Sequence, residues 1–138
     1  MATPFTIDFL DHVALRVKDL QVSTRWYEKV MGLTPYHVPE WGEYPIFLLA
    51  GKTGVALFPA SSEDSTLPAA TKGPGIDHFA FQVSNENFEK SKAWFSEQEI
   101  PYQVRDHHHF LSVYLQDPDG HTVELTTLVG KAADFYKN

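Results

Sequence analysis

Leu10–Val17 (LDHVALRV) and Ile76–Val83 (IDHFAFQV) are near copies, sharing Asp, His, Ala and Val at matching places. Two further echoes follow in the same order: Ser23-Thr24-Arg25-Trp26-Tyr27 with Ser91-Lys92-Ala93-Trp94-Phe95, and Pro35-Tyr36-His37-Val38 with Pro101-Tyr102-Gln103-Val104. Self-similarity in order along a chain is the signature of a duplicated supersecondary unit. The chain is therefore expected to fold as two related modules, each carrying one of the paired histidines, His12 and His78.

Within each module the periodicity fixes the elements. Val13, Leu15 and Val17 alternate with His12, Ala14 and Arg16, which puts one apolar and one mixed face on a strand, the histidine on the mixed one. Asp19 is placed to cap a helix with Leu20, Ser23, Tyr27 and Val30 along one stripe, ending near Met31 before Gly32. Strand-like runs follow at 34–38, 44–50 and 55–59, punctuated by Pro39, Gly42, Gly51 and Gly54. The second module repeats the order: a strand over 76–83, a helix capped by Ser84 or Asn85 with Phe88, Lys92 and Phe95 in line, then strands near 102–104, 112–116 and 122–126. Asp117-Pro118-Asp119-Gly120 is a turn between the last two. The expected organisation is one domain over 1–138, with modules at 8–60 and 76–129, a connector at 61–75 and a tail at 130–138.

Composition narrows the partners. A chain of 138 residues, 43% hydrophobic, buries roughly two thirds of its unfolded surface, enough for a core and a cavity. A formal charge of −7 repels phosphate, so nucleic acid and anionic membranes are excluded in favour of a small molecule. With no cysteine, any metal must be held by nitrogen and oxygen. There is no apolar run long enough to span a bilayer, and the expected location is the cytoplasm.

Aligning the last strands of the modules sets Val55-Ala56-Leu57 beside Val123-Glu124-Leu125. Glu124 then shares the mixed face with the histidines, and His12, His78 and Glu124 form a candidate metal set. A lone strand histidine is more often structural than ligating; the repeat together with Glu124 favours the metal. Two imidazoles and one carboxylate make a facial triad with open positions, suited to Fe2+ first and to Mn2+, Ni2+ or Zn2+ as alternatives. Asp11 and Asp77 read as strand-end residues or as partners that orient the imidazoles. His37 and His121 read as surface residues. Trp41, Phe47 and Phe58 read as core or as the wall of an apolar pocket, Phe58 first because it shares a face with Ala56.

These paired Asp-His strands, with Tyr114-Leu115-Gln116-Asp117-Pro118-Asp119-Gly120-His121-Thr122-Val123-Glu124, resemble the vicinal oxygen chelate superfamily over about 8–129. That superfamily includes glyoxalase I, extradiol dioxygenases, fosfomycin-resistance thiol transferases and bleomycin-resistance proteins. The resemblance implies an α+β fold in which paired βαβββ modules form an open, cupped mixed sheet with helices outside. It also implies a homodimer and a metal held by His12, His78 and Glu124. Ala56 stands where glyoxalase-type members have a fourth protein ligand, which argues against a standard glyoxalase I. Tyr114, ten residues before Glu124, matches a tyrosine of both the dioxygenase and the thiol-transferase branches, placed to donate to a metal-bound oxygen. The dioxygenase branch also has a histidine upstream of that tyrosine. His107, His108 and His109 lie nearby without its spacing, with His108 as the candidate acid or base and an imidazole-rich exposed loop as the other reading. The tail from Leu128 to Asp134 lacks the arginine with which the thiol transferases hold a phosphonate, and Lys131 is a poor substitute. The expected activity is extradiol-type ring cleavage, with thiol transfer or a lyase or isomerase step as alternatives. A metal-free drug-binding protein is the alternative outside catalysis.

Overall fold

A computed structural model describes residues 3–61 and 73–136. Most of the connector expected over 61–75 lies outside the described residues. The chain divides into two compact units, residues 1–64 and 65–138.

The first unit runs β1 (His12–Val17), α1 (Leu20–Lys29), β2 (Thr34–Tyr36), β3 (Ile46–Ala50) and β4 (Thr53–Pro59), with one turn of 3-10 helix at Pro39–Trp41. The second repeats it as β5 (Phe79–Gln82), α2 (Asn85–Glu97), β6 (Gln103–Asp106), β7 (Phe110–Gln116) and β8 (Thr122–Leu128), followed by a short α3 (Ala132–Phe135). Each unit is thus βαβββ and α+β in class. Each forms an open four-stranded mixed sheet, in the order β1-β4-β3-β2 and β5-β8-β7-β6. The first and last strand of each unit pair in parallel and the other pairs are antiparallel.

Alternation decides what each face carries. In the first unit Leu15, Val17, Ile46, Leu48, Val55 and Leu57 are buried together with Ser23, Tyr27 and Val30 of the helical stripe. In the second, Val113, Leu115, Val123 and Leu125 are buried with Phe88 and Phe95 of α2. Sealing each of these two phenylalanines contributes roughly 1.5–3 kcal/mol. The helices start where expected: Asp19 accepts from the backbone of Gln21 and Val22, both at 3.0 Å, and Ser84 from that of Asn87 at 3.1 Å. They end differently. Gly32, at φ +72°, turns the chain out of α1, whereas Glu99 takes the left-handed conformation after α2 at φ +58°. The N–H groups of Glu99 and Ile100 reach back to the carbonyls of Ser96 and Phe95, a Schellman closure built without glycine.

Two expectations need correction. The echo of Pro35–Val38 in Pro101–Val104 is one residue out of register: Tyr36 pairs with Phe47, and the residue in the corresponding place of the second unit is Gln103, which pairs with Tyr114. His121, expected at the surface, is partly buried against Asp117, its Nδ1 2.8 Å from the carboxylate.

Candidate functional site

The candidate residues share one face of each sheet. In the second unit Ala80 pairs with Glu124 and Glu124 with Tyr114, so one row across the sheet reads Ala80, Glu124, Tyr114, Gln103. The corresponding row in the first unit reads Ala14, Ala56, Phe47, Tyr36. The register therefore sets Ala56 at the place of Glu124 and Phe47 at the place of Tyr114. His12 packs edge-on against Phe47 with ring centroids 5.1 Å apart, and His78 against Tyr114 at 5.4 Å. The duplication has kept the histidine and its aromatic neighbour in both units, but only the second bears the hydroxyl and the carboxylate.

Both histidines are held alike. The Nδ1 of His12 lies 2.7 Å from Asp11 and that of His78 2.6 Å from Asp77, so each imidazole donates to a carboxylate through Nδ1 and presents Nε2. In the second unit Nε2 of His78 stands 2.8 Å from Oε1 of Glu124, whose side chain is only 9% exposed. A buried carboxylate beside an imidazole nitrogen, the other ring nitrogen held by an aspartate, offers one oxygen and one nitrogen donor of the kind a divalent ion takes. The residues present fit such an ion.

Tyr114 completes this face. Its hydroxyl is raised above its ordinary pKa, first by burial and then by the charge and hydrogen bond of Glu124, with Ser112 and Arg105 pulling the other way. It therefore stays protonated at neutral pH and acts as a donor. Among the three loop histidines, the structure brings His107 to Tyr114, its Nε2 2.9 Å from the hydroxyl. His108, the candidate acid or base from the sequence, sits at φ +70° with its ring against His109 at 4.7 Å. Spacing within a run of three histidines gave no means to choose between them; the turn geometry does.

The candidate pocket residues lie in the first unit. Ala56 is fully buried, Phe47 faces it across the strand pair, and Trp41 lies 5.7 Å from Phe47. Phe58 continues the face, with the Arg16 guanidinium 5.3 Å from its ring centre. An open groove of about 760 Å³, lined by Asp19, Thr24, His37 and Glu43 among others, contains none of these residues. Asp117, Asp119 and His121 also bring ligand-type atoms close together. Their arrangement is that of a turn: one Asp117 oxygen accepts the N–H groups of Asp119 and His121, both at 2.9 Å, and the other holds the His121 ring.

Known proteins resemble the chain over most of its length. The metallothiol transferase FosB of Staphylococcus epidermidis is 26% identical over 138 residues, covering 95% of this chain and 90% of its own. The glutathione transferase FosA of Serratia marcescens is 29% identical over 116 residues, covering 84% and 78%. In fold, the chain is similar to a glyoxalase/dioxygenase from Nostoc punctiforme, with a TM-score of 0.79 at 22% identity, covering 94% of this chain and 97% of that one. A family profile matches residues 9–125, nearly the whole of both modules, and the chain belongs to the Glyoxalase/Bleomycin resistance protein/Dioxygenase superfamily.

Proposed function

We propose that this divalent-metal-dependent enzyme transfers a thiol to a small electrophile that offers oxygen atoms to the metal, with His12, His78 and Glu124 as the ligands. The observation that carries the ligand assignment is the pairing of His78 Nε2 with the buried Glu124 carboxylate, 2.8 Å apart behind the Asp77 clamp. Thiol transfer is favoured over ring cleavage because the similar curated proteins include metallothiol and glutathione transferases. Bound there, a divalent ion supplies Lewis-acid stabilisation to substrate oxygens.

The chain's own residues supply the rest. Tyr114, kept protonated, donates to a substrate oxygen as charge builds on it. Asp11 and Asp77 fix the orientation of the two imidazoles. Trp41, Phe47 and Phe58 give the substrate an apolar wall, with the fully buried Ala56 paired to Phe47 within the sheet. The missing tail arginine argues against a phosphonate as the anchoring group, so the acceptor is a different small molecule, such as an uncharged epoxide.

A second copy of the chain is the proposed partner. Phe5, Ile7, Phe9 and Leu10, just ahead of His12, are 65%, 77%, 52% and 68% exposed, and Ile76, just ahead of His78, is 83% exposed. Apolar side chains so dense and so close to the site favour an isologous contact.

The test is thiol loss. Protein loaded with Fe2+, Mn2+, Ni2+ or Zn2+ is incubated with glutathione or cysteine and a panel of small epoxides. Turnover that disappears with chelator and in Glu124→Ala supports the proposal. Oxygen uptake on a catechol panel, with no thiol consumed, returns the reading to ring cleavage. Unchanged metal content in both His78→Ala and Glu124→Ala refutes the ligand set.

A further inference from the structure

His107 belongs to no element that the metal set requires, yet it is held firmly. Its N–H donates to the Phe110 carbonyl at 2.8 Å, and its carbonyl accepts from His109 at 2.8 Å around His108, a non-glycine residue in the left-handed region. The His108 N–H is tied to Asp106 at 2.9 Å, and the His109 carbonyl to the N–H of Val129, just past β8, at 2.8 Å. Strained backbone persists where its surroundings enforce it and is concentrated at working sites. Here the product of the strain is a ring nitrogen 2.9 Å from the Tyr114 hydroxyl.

A phenol has one proton to give. The Tyr114 hydroxyl has Nε2 of His107 2.9 Å away, and Glu124, its partner across the β7–β8 pair, and Ser112 also act on it. A carboxylate oxygen accepts, so when the phenol proton points to the Glu124 side the imidazole is the donor to the phenol oxygen. That requires the tautomer with hydrogen on Nε2. We propose that His107 is a positioning residue which, by donating from Nε2 to the Tyr114 oxygen, turns the phenol proton toward the Glu124 side, where a substrate oxygen would receive it. The opposite tautomer would draw the same proton away from that side. His107 thus acts through Tyr114 and has no need to touch substrate.

The proposal rests on the thiol-transfer reading for its kinetic consequence but not for its structural one, and two measurements separate them. Nitrogen-15 NMR of the ring-labelled protein at pH 8 should show His107 protonated on Nε2, with its signals moved in Tyr114→Phe. Hydrogen on Nδ1, or signals indifferent to Tyr114→Phe, would overturn the proposal whatever the reaction proves to be. In turnover, His107→Leu should lower kcat about tenfold with KM within about twofold, and His107→Gln, whose amide can still donate, should recover most of the loss. In a Tyr114→Phe background, His107→Leu should cost nothing more. Full additivity of the two substitutions, or a loss confined to KM, would overturn it. A wild-type protein that transfers no thiol counts against the reaction alone, since the NMR result still decides the hydrogen bond.

Discussion

At position 124 a carboxylate stands where the first unit has Ala56, and at 114 a phenol stands where it has Phe47. These two differences replace the apolar middle of the row with polar side chains on the same strand pattern. The neighbouring turn depends on a different pair. Asp117 is buried, and its hydrogen bond to His121, opposed by burial, raises the imidazole above its usual 6.5. A raised folded value means that the pairing stabilises fully below about pH 6.5 and is lost as pH rises through the folded value. His121→Gln should therefore cost more stability at pH 5.5 than at pH 8.5, as read from urea midpoints of variant and parent at each pH. An equal cost at both would show that the imidazole charge contributes nothing to the turn.

Between elements, one glycine has no freedom to change. A β-carbon on Gly54 would meet the Leu48 carbonyl oxygen at 2.1 Å, a backbone contact that cannot swing aside. Gly54 pairs with His12 across β1 and β4, so its strand also sets where that histidine starts. Gly54→Ala should destabilise by about 3 kcal/mol, the scale of a severe packing clash, visible as a large fall in the urea midpoint. The end of α2 offers the opposite case. Glu99 sits at φ +58° where helices favour glycine, and Glu99→Gly should raise stability by roughly 0.5–1 kcal/mol, checked by thermal melting. Helix caps at Asp19 and Ser84 were legible in the sequence because capping is a local matter of side chain and adjacent N–H. The register of β2 and β6 was not, since every residue of these short edge strands is exposed and a strand with no buried face specifies its register weakly.

For the whole molecule, the uncovered apolar residues ahead of His12 and His78 bear on assembly. Ile7→Asp combined with Phe9→Ser should shift the protein from dimer to monomer in light scattering after gel filtration. A parent protein that runs as a monomer at micromolar concentration would remove the proposed partner. No helix among the described residues is long and apolar enough to cross a membrane. The duplication was visible in sequence because each module had to keep its own alternating strand and capped helix in order to bury a core.

The sequence by itself determined the two βαβββ modules, their helix starts and the likeness of the His12 and His78 strands, because these follow from periodicities and caps that act within a few residues. Tertiary structure alone decided that His78 meets Glu124, that Phe47 takes the place of Tyr114, and that His107 rather than His108 reaches the phenol. Those contacts depend on strand register and on the backbone twist of one hairpin turn, and residues far apart in the chain meet only when the sheet hydrogen bonds have fixed both.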